Sequence, residues 1–250
     1  MRSVHDALRI LIFRRNALET SGNKSLIKKI LFVIVTLLPM AIYMVIYMPV
    51  FFWVESLEPA GGFHIIHTAI DDMIPVVEAF IIPYILWLPY LCAGMIAIAV
   101  KSRRISRKTS YMLMAGMTLF IVISLAYPNA LELREAIPDR DNIFMNMISY
   151  LHSIDTPTDV LPSLHVYDAI VVAAGLHLTF PSKKGLLAAS DLLTLLIILS
   201  TVFIKQHSVI DVISAIILFI PVFIIICFVI KPLKRDELKA SRSFSSPLRK

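Results

Sequence analysis

Three groups of reactive side chains stand beside apolar stretches: Arg134, the run Pro162-Ser163-Leu164-His165, and Lys205-Gln206-His207 with Asp211. Asp211 follows His207 by four positions, so on a helix the two side chains share a face and the carboxylate can accept a hydrogen bond from one ring nitrogen. The other nitrogen is then free to act as a nucleophile. His165 comes from a different stretch and offers a second imidazole to protonate a leaving oxygen, which separates nucleophile from general acid. Ser163 opens an apolar run, where the free N–H groups and the dipole of a helix N-terminus favour an anion. Arg134 and Lys205 add positive charge, the first as a bidentate fork and the second as a point charge. This set suits phosphoryl transfer. The same region offers two alternatives: a metal site from His165, Asp168, His207 and Asp211, or a plain polar cluster satisfied between helices. Pro-Ser-x-His and a helical His-x3-Asp pair are each common structural features alone, and their joint occurrence beside apolar stretches is what points to chemistry.

The elements that must hold these residues are membrane helices. At 58% hydrophobic residues and a mean hydropathy of +0.79, the chain exceeds what a soluble domain needs for its core. Six stretches approach the roughly 20 apolar residues that a span requires: Ile30 to Phe52, Val76 to Val100, Tyr111 to Tyr127, Leu164 to Phe180, Leu186 to Ile204 and Val209 to Ile230. The expected fold is therefore all-α, a polytopic bundle of six transmembrane helices. It divides into a basic N-terminal segment over 1–29, a membrane catalytic domain over 30–230 and a tail over 231–250. The first span follows polar and basic residues with no small-residue cleavage site, which marks an uncleaved anchor. Val4, Ala7, Leu8, Leu11 and Ile12 recur at helical spacing among arginines, as in a short helix on the inner membrane surface, with a disordered segment as the equal alternative. The Ser-rich, basic tail is assigned no structure.

Basic residues cluster before span 1, between spans 2 and 3 (Lys101, Arg103, Arg104, Arg107, Lys108), at Lys183 and Lys184, and after Lys231, so these segments are expected in the cytoplasm together with both termini. All three reactive groups then fall at the outer face, as in a multi-pass plasma-membrane protein. The net charge of +6 follows from this topology and from attraction to anionic lipid, with no nucleic-acid partner implied. Cys92 and Cys227 fall inside spans and imply no disulfide framework. The segment from Pro128 to Leu161 is too long and too charged for a connector, which makes it a candidate functional loop.

At these residues the chain resembles the type 2 phosphatidic acid phosphatase superfamily, whose motifs are Lys-x6-Arg-Pro, Pro-Ser-x-His and Ser-Arg-x5-His-x3-Asp. Pro162-Ser163-Leu164-His165 matches the second motif in full, and Ser200, His207 and Asp211 match the third at its spacing. The resemblance implies a lipid phosphate or diphosphate as substrate and a phosphohistidine intermediate on His207 oriented by Asp211. It further implies His165 as acid, Ser163 and Arg134 as phosphate ligands, and no metal or other cofactor. The first motif keeps only Arg134, with Glu135 in the proline position and Tyr127 in the lysine position, and Thr201 replaces the arginine of the third. These departures resemble the branch of inositol phosphorylceramide and sphingomyelin synthases, so the expected hydrolase has head-group phosphotransfer as its alternative, and an inactive membrane scaffold as a further one. Lys205, one helical turn after Thr201, is expected to restore the missing cation at the phosphate.

Overall fold

The computed structural model describes residues 2–138 and 140–229, with side chains from Leu26 onward except those of Glu135, Ala136 and Val229. The tail over 231–250 lies outside them. The described chain is mostly helical, and five helical stretches are long and apolar enough to cross a bilayer: Leu26–Glu55, Glu78–Lys101, Arg103–Ala126, Lys184–Phe203 and Val209–Phe228. A membrane-inserted helical protein is what these lengths and compositions describe.

The first of them belongs to α1, Arg2–Glu55, a single helix whose backbone runs on through the N-terminal segment where a separate surface helix was expected. Short α2, Ala69–Met73, follows strand β1, His64–Ile65. The second span is broken at its outer end into a 3-10 turn, Glu78–Phe80, then α3, Ile81–Ile85, and α4, Trp87–Lys101, with Pro83 within α3. Helix α5 spans Arg103–Ala126 and starts earlier than its apolar run, because the Ser102 hydroxyl accepts from the Ile105 N–H at 3.3 Å. Four expected loop cations therefore ride on its first turns. The long outer segment is ordered: β2, Asn129–Ala130, pairs in parallel with β1, a 3-10 turn covers Leu133–Ala136, and α6 covers Ile143–Ile154.

Helix α7, Leu164–Thr179, is apolar too but has 16 residues, fewer than any of the five stretches above. It sits at the centre, against α4, α5, α8 (Lys184–Phe203) and α9 (Val209–Ile224). Its neighbours approach closely because they present small residues: a Cβ on Gly116 of α5 would overlap the Tyr167 ring, and one on Gly94 of α4 would overlap Val172. The Tyr167 hydroxyl donates to the Met112 carbonyl at 2.8 Å, which satisfies a polar atom in the driest layer. Val166, Tyr167, Val171, Val172, Ile98, Met112 and Ile197 form the core, whereas Val45, Leu192 and Ile217 face outward, as lipid-facing residues do.

Candidate functional site

The site forms where α7 and α9 begin. Ser163 is the N-cap of α7 and its backbone N–H donates to the Asp211 carbonyl at 3.2 Å, so the two histidine motifs are tied at their helix starts. Ser208 caps α9 in a capping box, with the Asp211 carboxylate accepting the Ser208 N–H at 2.9 Å. The same carboxylate lies 3.3 Å from His207 Nδ1, which leaves Nε2 as the free nitrogen of that ring. His165 is wedged between Tyr84 and Trp87, at ring-centroid distances of 4.5 and 4.3 Å, and its ring centre is 5.8 Å from that of His207. The local rules behind this are simple: Ser at both N-caps, and a carboxylate in the first turn of α9 where the dipole favours it.

Arg134 reaches the site from the outer segment. Its guanidinium donates to the Asp155 carbonyl at 2.5 Å, the Asp155 carboxylate at 3.1 Å, the Thr156 carbonyl at 3.2 Å and Gln206 Oε1 at 2.6 Å. Burial pushes the Asp155 carboxyl up, against the pull of Arg134 and His207. Around this knot, Arg134 Nε, Gln206 Nε2, His152 Nε2 and Asp211 Oδ1 are buried without a hydrogen-bond partner among the described residues. Orphaned polar atoms are costly. Their concentration beside two histidines leaves donors and an acceptor that a polar group could satisfy.

Five of the six residues singled out from sequence thus converge: Arg134, Ser163, His165, His207 and Asp211. Lys205 departs from expectation. Helix α8 ends at Phe203 and Lys205 takes φ +58°, in the left-handed region, so it does not stand one helical turn below Thr201. Its buried ammonium donates to the carbonyls of Asp71 and Ile74 at 2.6 and 2.7 Å instead. Asp168 lies apart, near Tyr43, Tyr47 and Tyr167, and no cluster of three or more His, Cys, Asp or Glu with metal-holding geometry occurs among the described residues, so the four residues of the metal alternative do not gather.

Three contributors escaped the sequence reading. Asp71, only 1% exposed, accepts from the Ser208 hydroxyl at 2.6 Å and the Val209 N–H at 2.9 Å, and also closes a capping box with Thr68. Burial alone would raise its carboxyl, yet the bonds from Ser208, Val209 and Thr68 prevail and hold it below the usual range. Buried Asn129 accepts from the Val160 and Leu161 N–H groups at 2.9 and 3.0 Å, and so shapes the approach to Pro162. The third is His152 on α6, which burial and the neighbouring Arg134 charge push down to about 4. Each cap has a local signal, Ser-x-x-Asp at Ser208 and Thr-x-x-Asp at Thr68, but nothing local joins one to the other.

His152 gives a test of this packing. An imidazole with a folded value of about 4 against an ordinary 6.5 binds fewer protons than the unfolded chain between those limits. Its contribution to stability is complete above pH 6.5 and declines as the pH falls toward 4. Melting in detergent at pH 7 and pH 5 is expected to show a smaller acid loss for His152→Gln than for the wild type. Equal losses would place His152 in contact with water.

Comparison of the chain with family models, with curated proteins and with solved structures returned no match.

Proposed function

We propose that this chain is an integral membrane enzyme of lipid phosphoryl transfer, a six-span bundle in which α7 is the remaining span, with its site at the outer face of the plasma membrane and both termini in the cytoplasm. The observation that carries this reading is the pair of imidazoles 5.8 Å apart, one of which has Nδ1 against Asp211. His207 Nε2 attacks phosphorus, the bond from phosphorus to the leaving oxygen breaks, and that oxygen takes a proton from His165. A water molecule then attacks the phosphohistidine, gives its proton to His165, and the P–N bond breaks to restore His207. Arg134 and the N-terminus of α7 at Ser163 hold the phosphoryl oxygens. The motif resemblance to type 2 phosphatidic acid phosphatases supports the same roles and a metal-free reaction on a lipid phosphate or diphosphate. Head-group transfer to a lipid alcohol is the second reading, favoured by Thr201 and by the diversion of Lys205, which leave fewer cations than that superfamily's motifs provide.

The direct experiment is a panel of lipid phosphates, diphosphates and phosphodiesters, with and without acceptor lipids, scored for released phosphate and for new lipid products. Activity that persists in excess chelator is expected. Silence across the panel, or activity lost to chelator and restored by a metal, defeats the reading. The face is tested separately in a background with Cys92 and Cys227 replaced by alanine. Tyr150→Cys, at a position 68% exposed, is expected to react with an impermeant thiol reagent on intact cells, and Ser182→Cys is not. The reverse pattern would turn the site inward.

A further inference from the structure

A cleft of about 390 Å³ lies between the start of α5 and the far ends of α7 and α9. The stretch Val209–Phe228 begins beside His207 and ends at this cleft, so the cleft belongs to the leaflet opposite the histidines. One wall is cationic. Arg104 and Lys108 stand on it one helical turn apart, with Ser102, the N-cap of α5, beside them. The first N–H groups of a helix have no intrahelical partner, and the dipole there favours an anion. Lys108 Nζ donates to the Cys227 carbonyl at 2.8 Å, within the π-helical turn Ile225–Val229, which uses one of its three N–H donors. Arg104 is exposed, with no bonding partner among the described residues. The other wall is apolar and is made by Leu178, Phe223 and Phe228.

Little negative charge opposes that cationic wall. Of the carboxylates in the described residues 26–229, Asp191 alone stands in this half of the bundle, and it is bonded to His177 at 2.8 Å. Lys101, Arg103, Lys183 and Lys184 are exposed at the same end. A cleft with cations on one side and hydrocarbon on the other fits a molecule divided in the same way. The chain's own tail is poorly suited, because residues 231–250 carry seven Lys and Arg against Asp236 and Glu237, and like charges would meet. A free phosphate would leave the apolar wall without a partner. An anionic lipid brings phosphate and acyl carbons together, and basic pockets between membrane helices are suited to acidic head groups.

We propose that this cleft binds one anionic phospholipid from the leaflet opposite the histidines, with its phosphate on Arg104, Lys108 and the start of α5 and its first acyl carbons along Phe223 and Phe228. The guanidinium supplies a bidentate fork, and the two remaining Lys108 N–H groups a point charge. Because Lys108 also holds the Cys227 carbonyl, a bound lipid fastens the ends of α5 and α9 together, and its effect is stabilising. The site lies beyond the phosphoryl chemistry and does not depend on it.

The test uses the full-length protein in a neutral detergent, titrated with dioleoyl phosphatidylglycerol or dioleoyl phosphatidylcholine, and reads the melting temperature and the lipid retained in native mass spectrometry. Phosphatidylglycerol is expected to raise the melting temperature and to be retained at concentrations where phosphatidylcholine does neither. Arg104→Gln, at an exposed position, is expected to raise the midpoint of that titration about tenfold or more, the worth of one hydrogen bond between charged groups. Lys184→Gln removes the same charge at the same end but outside the cleft lining, and is expected to stay within about twofold of wild type. A lipid held at the histidines would be indifferent to Arg104→Gln, so that result, with His207-dependent turnover intact, sinks this site and leaves the phosphoryl reading standing. Equal protection by phosphatidylcholine, or equal losses in the two variants, would mean general attraction to the membrane surface. An equal shift with glycerophosphoglycerol, the head group without its chains, would mean a plain anion site. Protection that appears only after residues 231–250 are deleted would give the cleft to the tail. Each of these outcomes overturns the proposal.

Discussion

His207→Ala is expected to abolish turnover, by on the order of 10³- to 10⁶-fold, the range seen when a covalent nucleophile is removed from a preorganised site. The loss is in kcat, because the phosphoryl group has lost the atom to which it transfers, while the donors that bind it remain. The fold is expected to survive. His207 is nearly buried, but its side chain hydrogen-bonds to Asp211, which keeps the Ser208 N–H as a second partner. A second observable separates this from general damage. Wild type quenched in mid-turnover with a phosphorus-labelled lipid is expected to carry an acid-labile, base-stable label that His207→Ala lacks. Asp211→Asn is expected to retain a weaker label, since the amide still lies beside Nδ1 but no longer favours the charged ring. Wild-type turnover without any labelled protein would point to direct attack by water, and His207 would then be a base.

Asp71→Ala is expected to be the most destabilising single substitution in the outer loops. It strips acceptors from the Ser208 hydroxyl, the Val209 N–H and the Thr68 backbone and hydroxyl groups, and takes a carboxylate from the neighbourhood of buried Lys205. Removing one member of a buried charged set costs about 3–5 kcal/mol, a fall in melting temperature on the order of 10 °C for a chain of this length. Asp71→Asn keeps the shape and part of the bonding, so a smaller fall is expected. The acid limb gives an independent check. A carboxyl held below its ordinary range stabilises the fold above that range and loses its contribution only as the pH falls below about 4, beneath the window in which His152 acts. A melting temperature for Asp71→Ala within a degree or two of wild type would mean that the loop and α9 are held together by something else.

The parts of this molecule that were legible in the sequence obey short-range rules. Apolar runs of span length marked the membrane helices, and Ser163 marked the start of α7 because an N-cap is chosen by residues three positions apart. The face shared by His207 and Asp211 follows from the helical period alone. Where the reading failed, a distant contact had overruled the period. Lys205 was assigned a place on α8, yet the chain turns through a left-handed residue there so that its ammonium can reach the loop carbonyls of Asp71 and Ile74. The bond from Ser208 to Asp71 joins residues 137 apart, a separation at which spacing carries no information. Arg103 to Lys108 resembled a loop because four of those six residues are cationic, and only the Ser102 cap announced a helix.

The brevity of α7 has a consequence for how a lipid reaches the histidines. Its 16 residues rise about 24 Å, against a hydrocarbon layer of about 30 Å, so a span of this length leaves its first turn several ångströms inside the surrounding leaflet. Its neighbours belong to apolar stretches of 20 to 24 residues, which would turn that shortfall into a sunken floor instead of a local pinch in the bilayer. A substrate resting at its natural depth would then meet His165 sideways, with its acyl chains still among its neighbours, and the energy of pulling a lipid out of the membrane would never enter the rate. On the proposed function, water or an acceptor alcohol would descend to the same floor from above, and membrane thickness would set the distance between the two reactants' starting points.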